Sequence, residues 1–413
     1  MSRRFQPGEP LAQALCPGGK MPPSLAGRMS AATLEAAPSV NFVRSQRLLI
    51  TAACAIESAG VSLRRTIFSW ALVWIVLVTI AHLWINVGVR PFGRKATAAE
   101  AGKYRIGFLP VTCHLTCPVT DFINKHLTGE GIFEPVRFGG WPELKEAYLS
   151  GYTPATFILA PMAMALREQG VPIKIVYLGH RDGTAMMVHK DSQIYRIEDL
   201  KGKRVAVPNR YSNQRLLVFK ALRERGLSIK DITLMELPPP DMPAALYAKA
   251  VDAISSGEPF MGQTELDGYG RVLYLTKDVW PNFISCVLAV HEDMIKNHPD
   301  KVQQLVAGIA KSGKWIDQSL DHRRQTAQFV SQHYYNQHPR LLEFVLSKPP
   351  DRVKYTNLAP LRKDFEEIEA LGREGGILKG TAHFEDYVDA RFSTNDMAVK
   401  PYEWEMPEAS DGN

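Results

Sequence analysis

From Tyr104 onward, short apolar runs alternate with amphipathic stretches, and the alternation predicts the elements in order. Tyr104–Leu109 (YRIGFL) is β-branched and aromatic enough for a strand, and Pro110 stops it. Pro118, followed by Val119, Asp121, Phe122 and Ile123, reads as the first turn of a helix reaching about Leu127. Cys113, His114 and Cys117 then fall on a strand-to-helix loop, with Cys117 at the N-cap, where free N–H groups and the helix dipole lower a thiol pKa. Strands are expected at Glu134–Phe138, Thr156–Ala160, Lys174–Gly179, Thr184–His189, within LKGKRVAVP, and at Thr233–Leu237, Ala253–Ser255, Arg271–Thr276 and Ile284–Val290. Helices are expected at Pro142–Leu149, Met162–Gln169, Ser212–Arg225 and Met242–Ala250, and nearly everywhere after His291. Strands alternating with helices mean a layered α/β fold, with ligands held beyond the carboxyl ends of the strands.

The region ahead of this body reads differently. Residues 1–66 are rich in Ala, Pro, Gly and Ser without a sustained period, the pattern of a disordered extension, and Met29 is an alternative start. Ile67–Val89 carries no formal charge if His82 is neutral, and it is long enough to span a hydrocarbon core of about 30 Å. Trp70, Trp74 and Trp84 suit interfacial positions. Arg64 and Arg65 precede the run and Arg90, Arg94 and Lys95 follow it, so flanking charge does not set its orientation. Two readings remain open: an uncleaved transmembrane anchor, or an export signal in which SLRRTIF resembles a twin-arginine signal and Ala96-Thr97-Ala98 is the cleavage site. Both place the body across the inner membrane, on its periplasmic (extracytoplasmic) side. Residues 90–103 form a polar linker, and 396–413 read as a loose polar tail.

Composition narrows the class. The chain has 413 residues, enough for two lobes with real cores, and 45% hydrophobic and 22% charged content are ordinary for a folded protein. A net charge of +6 is mild for this length and the basic residues are dispersed, which argues against nucleic acid as a partner. The five cysteines show no CxxC or finger spacing, and Cys286 sits in an apolar strand as an inert core thiol.

The segments IGFLPVT, ILAPMAMAL, IEDLKGKRVAVP, ITLMELPPPDMPAAL with VDAISSGEPF, LAVHEDMIKNHPDKVQQLVAG and VKYTNLAPLRKDFEEIEALGREGGIL follow in order between Tyr104 and Phe392. In that order and spacing the chain resembles the substrate-binding proteins of ABC importers of the nitrate, bicarbonate, sulfonate and thiamine-pyrimidine-precursor group. The resemblance implies a two-lobed periplasmic-binding-protein-like fold of type II, here preceded by one N-terminal transmembrane helix. Lobe one would comprise 104–190 plus 288–395 and lobe two 191–287, with crossovers near the LKGK turn and Ile284–Val290. It further implies a small-molecule ligand closed in by a hinge motion, delivery to ABC permease and ATPase subunits, no cofactor and no catalytic residues. An enzyme related to the pyrimidine-precursor synthases, or a ligand-sensing domain, are the alternatives on the same fold.

The resemblance also marks positions. Trp141 matches the family's pocket tryptophan, and a core aromatic after Gly-Gly is the other reading. Ser212 stands before Asn213 where the nitrate branch has histidine, Thr184 follows Gly183 where it has glutamine, and Pro281 follows Trp280 where it has lysine. Losing the lysine removes the obvious counter-charge for a buried anion, so a neutral or larger ligand is expected, with Arg181, Arg210 or His180 as other sources of charge. Glu258 in SGEPF contacts the ligand or braces the hinge loop. Cys113, His114 and Cys117 border the site as a disulfide, as soft metal ligands, or as thiols without a role, and Met162 is a soft contact or core filling.

Overall fold

The computed structural model describes residues 66–82, 103–394 and 396–406. The chain divides into Met1–Arg94 and Lys95–Asn413, taken separately below. In the first unit, residues 66–82 form one helix whose apolar side chains, among them Ile67, Trp70, Trp74 and Ile75, are exposed. No helix among the described residues is long and apolar enough to cross a membrane. The expected extension 1–66 (save Thr66), the end of the run to Val89 and most of the linker 90–103 lie outside the described residues.

The second unit holds two five-stranded sheets. The first is built from β1 (Arg105–Phe108), β2 (Glu134–Arg137), β3 (Ala155–Leu159), β4 (Ile173–Leu178) and, far along the chain, β11 (Cys286–His291). Its order is β2-β1-β3-β11-β4, parallel across β2, β1 and β3, with β11 antiparallel to both neighbours. The second contains β6 (Thr184–His189), β7 (Arg204–Val207), β8 (Thr233–Glu236), β9 (Ala253–Gly257) and β10 (Gly270–Leu275), in the order β10-β6-β9-β7-β8. A two-stranded ribbon pairs β5 (Arg181–Asp182), which lies between β4 and β6 in sequence, with β12 (Val353–Lys354), which follows β11.

Continuous apolar runs make the inner strands. β3 (ATFIL) is buried at every position, and β11 (CVLAVH) at all but its last, as expected for strands covered on both faces. Proline opens the helices Trp141–Leu149, Ala160–Glu168 and Pro299–Gln318, where its missing N–H costs nothing. Ser212 caps Asn213–Arg223 by accepting from Arg215 N at 3.1 Å.

Three expectations are corrected. Thr184–His189 lies in the second sheet, so the chain first crosses between lobes at residues 179–183, not at the LKGK turn. The reason is that β6 pairs along its length with β9 and β10. The helix after β1 starts at Thr116, behind a 3₁₀ turn at Thr112–His114, so Cys117 lies inside its first turn and Leu115 is the N-cap. The tail is not loose through Met406: Trp404 is buried, its carbonyl accepts from Trp315 Nε1 at 2.8 Å, and Tyr402 accepts from Asn124 Nδ2 at 2.6 Å.

Candidate functional site

A cavity of about 300 Å³ opens between the lobes. Trp141, Pro142 and Lys145 on one helix, with Met162 and Leu166 on the next and Gln169 at its C-cap, line it from the first lobe. Asn209, Arg210 and Tyr211, in the loop ahead of Asn213–Arg223, face them with Glu236 at the end of β8. Of the residues marked in the sequence, Trp141, Met162 and Arg210 are brought together here. Trp141 is buried and its Nε1 has no partner.

Behind Trp141 stands His114, the two rings meeting edge to face at 5.6 Å. His114 Nδ1 accepts from Leu109 N at 2.7 Å, which places the ring proton on Nε2. That Nε2 is buried without a partner. Two donors without partners therefore belong to one aromatic pair.

Thr184, Ser212 and Asn213 form a separate cluster with two residues the sequence did not mark, Gln214 and Ser285. Gln214 Nε2 donates to Thr184 Oγ1 at 3.1 Å and to Ser285 Oγ at 3.2 Å, and Asn213 Nδ2 donates to Ile284 O. Asn213 Oδ1 and Gln214 Oε1 are left as buried acceptors without partners. All of these side chains are buried. The signal for Gln214 was present, since it sits in the first turn of the helix that Ser212 caps. Ser285 gave none, because its position depends on where the returning strand pairs.

Charge is distributed as follows. Arg181 is tied to Asp364 at 2.7 Å and to the carbonyls of Asn357 and Asn282, beside Trp280 and Pro281 at a second cavity of about 270 Å³. His180 Nε2 meets Thr112 Oγ1 at 3.1 Å, and burial holds its pKa down. Arg210 is the member of that trio that lines the first cavity, with Lys145 and Glu236 as further charges. Burial, and then the repulsion of Arg210, lower the pKa of neighbouring Arg215.

Glu258 takes the bracing position. Its Oε2 accepts from Gly262 N at 2.7 Å and its Oε1 lies 3.5 Å from Arg352, while its carbonyl accepts from Thr112 N across the lobes at 2.8 Å. Cys117 is fully buried, and burial together with Asp121 pushes its thiol well up, opposite to the lowering expected of an N-cap thiolate. Cys113, Cys117 and Cys286 are all free thiols in this structure, and Cys113 is not bridged to Cys117. Cys113 instead meets Cys286, Sγ to Sγ, at 2.8 Å.

The model of the NMT1-like family matches residues 97–331. The nitrate/nitrite binding protein NrtA of Nostoc is 23% identical over 266 residues, covering 58% of this chain and 60% of that protein. The nitrate import ATP-binding protein NrtC of Synechocystis is 24% identical over 55% of this chain and 36% of its own length. The chain thus spans less than two thirds of these curated relatives. Among solved structures, a ligand-binding component of an ABC-type import system from Staphylococcus aureus, determined with zinc bound, superposes with a TM-score of 0.63 at 25% identity, covering 70% of this chain and 97% of that one. The periplasmic nitrate-binding protein NrtA from Synechocystis superposes at 0.64 with 14% identity, covering 72% and 88%. The fold is the α/β fold of the periplasmic binding proteins.

Proposed function

The chain belongs to the NMT1-like family, and from that membership we propose that it is the solute-binding component of an ABC importer. It captures a small organic molecule between its lobes and delivers it to a permease driven by an ATPase subunit. The carrying observation is the inter-lobe cavity, in which Trp141 and Met162 face Arg210, Tyr211 and Glu236. Its volume of about 300 Å³ is at the lower end of organic-ligand sites and holds roughly ten waters at ~30 Å³ each, far more than a triatomic or tetratomic anion fills. An apolar wall with Lys145, Arg210 and Glu236 at polar positions suits a solute with a flat or aliphatic body and charged or hydrogen-bonding ends. Ser212, Thr184 and Pro281 in place of the nitrate branch's anion-holding residues support the same reading, so nitrate and bicarbonate are not the cargo.

The body works on the periplasmic side of the inner membrane. What supports this is the exposed apolar helix at 66–82, which continues in sequence as the uncharged run to Val89. As an anchor it leaves the full chain in membranes after carbonate washing; recovery of a soluble form beginning near Ala99 makes the segment a cleaved signal instead.

Native mass spectrometry of the purified chain identifies the co-purifying solute, and calorimetry then measures its affinity. Trp141→Ala and Arg210→Ala are each expected to weaken it at least about tenfold, or 1.4 kcal/mol. Nitrate is expected to give no heat of binding at micromolar concentration. Tight nitrate binding, or wild-type affinity in both variants, sinks the proposal.

A further inference from the structure

Three buried side chains, Cys113, His114 and Cys286, bring their ligand-type atoms within 4.8 Å of one another. Two chemistries compete for such a cluster: a thiophilic metal ion and a disulfide.

The geometry decides against the metal. Thiolates bound to one tetrahedral ion at about 2.3 Å each sit nearly 4 Å apart, whereas these sulfurs are 2.8 Å apart. His114 offers no lone pair, because Nδ1 is engaged by Leu109 N–H and Nε2 carries the proton. Ligation requires that Leu109 N–H lose its acceptor or that a buried imidazole lose its last proton.

The same distance favours a bond. Non-bonded heavy atoms settle at roughly 3.5–4.0 Å, and at 2.8 Å the two sulfurs are already inside that range. A covalent S–S of about 2.05 Å needs only a further small approach. Hydrogen bonds to the backbone of Cys286 and of the residues just before Cys113 hold the partners in place. Gly179 N donates to Cys286 O at 2.8 Å, Tyr335 donates to Val111 O at 2.8 Å, and Tyr355 donates to Thr112 O at 2.9 Å.

We propose that Cys113 and Cys286 form a disulfide in the mature protein, one that ties the loop after β1 to the strand returning from the second lobe. The oxidant is a protein disulfide of the thiol–disulfide oxidoreductase class. Cys113 thiolate attacks one sulfur of that disulfide and forms a mixed disulfide, expelling the oxidant's other sulfur as thiolate. Cys286 thiolate then attacks Cys113 Sγ, the Cys113–Cys286 bond forms, and the oxidant leaves as its dithiol. The two cysteines give up two electrons and two protons, and the oxidant's sulfurs take them. Both sulfurs are buried in the folded chain, so the exchange belongs to folding, before the core closes. Burial raises the Cys113 thiol, but the Cys286 hydrogen bond and the neighbouring His114 and His180 outweigh it and hold Cys113 well below its ordinary value, while Cys286 is pushed up.

The link spans 173 residues and brackets the whole second lobe. It also fixes the turn carrying His114, and through it the ring packed on Trp141. In the cell the bond depends on the periplasmic placement proposed above, since a cytosolic pool keeps thiols reduced. The test therefore separates the two. The full chain is denatured, refolded in a reduced/oxidised glutathione buffer, alkylated under denaturing conditions and mapped by peptide mass spectrometry. A Cys113–Cys286 cross-linked peptide is expected, two hydrogens lighter than its parts, with Cys117 alkylated. Alkylation of Cys113 and Cys286 in the refolded chain, a Cys113–Cys117 link, or stoichiometric zinc or copper lost with Cys286→Ser overturns the proposal. A linked refolded chain whose counterpart isolated from cells has both thiols free shows that the pair can bond but that the mature protein lacks the bond, which overturns the proposal and counts against the periplasmic placement. Reductant should lower the Tm of the linked wild type by about 5–10 °C. It should leave Cys113→Ser and Cys286→Ser unchanged, while Cys117→Ser keeps the wild-type response.

Discussion

Glu258 is fully buried, and its carboxylate meets one guanidinium and one backbone N–H. Arg352 in turn reaches Glu265 at 2.7 Å, so removing Glu258 leaves the guanidinium half-compensated and Gly262 N without its acceptor. Glu258→Ala is expected to cost about 2–4 kcal/mol in urea unfolding. Burial raises the Glu258 pKa from its ordinary 4.5, and Arg352 and the Gly262 N–H oppose that only in part. A carboxyl raised in the folded state contributes its full stability below the ordinary value and loses it as pH rises through the shifted one. Glu258→Gln should therefore gain on wild type as pH climbs from 4.5, the ordinary value; a pH-independent difference between the two unfolding curves refutes this account. The sequence left open whether this residue touches ligand or braces the loop. Its partner Arg352 is far along the chain and nothing local points to it.

At the scale of elements, the crossing between lobes is a matter of space. β4 ends at Leu178, and a Cβ on Gly179 would sit 2.2 Å from Cys113 O and 3.2 Å from Cys286 O. Glycine is what lets the end of β4, the start of β11 and the 3₁₀ turn after β1 converge. Gly179→Ala is expected to lower stability by about 1–3 kcal/mol, because both obstructions are backbone and cannot swing aside. A thermal midpoint equal to wild type would show that the segment has slack. Most elements were legible because their periods are local: the amphipathic Asn213–Arg223 and Pro299–Gln318, and the continuously buried runs of β3 and of β11 up to its last residue. The helix after β1 was misjudged by one short turn. Pro118 suits any position in a first turn, and the preceding 3₁₀ turn at Thr112–His114 advances the start to Thr116.

Across the whole molecule, the lobes are joined by more than the two crossings. Lys220, on the helix Asn213–Arg223, reaches Glu367 at 3.1 Å, and Arg223 pairs with Glu374, both acceptors lying on the helix Arg362–Glu374. That helix also packs on Ala160–Glu168 of the first lobe. Ion pairs of this half-exposed kind are individually weak, so they bias closure rather than lock it. The double variant Glu367→Ala/Glu374→Ala is expected to show a larger radius of gyration without ligand in small-angle scattering, and to return to the wild-type value once the solute is bound. Identical curves for variant and wild type would place the closing contacts elsewhere, at Thr112 and Glu258.

What the sequence determined by itself is the order and kind of the elements and the α/β class. These follow from periodicity, proline placement and turn chemistry, which act over a few residues. Only the tertiary structure decided which cysteine meets Cys113. The CxxxC spacing points to Cys117, but the helix that begins at Thr116 carries Cys117 into the core. The pairing of β11 with β3 sets Cys286 opposite Leu159, which brings its sulfur to Cys113. The first crossing and the Gln214–Ser285 bond were settled in the same way. Each depends on the register of strands that are distant in sequence, and register is chosen by the burial of whole sheet faces rather than by any local signal.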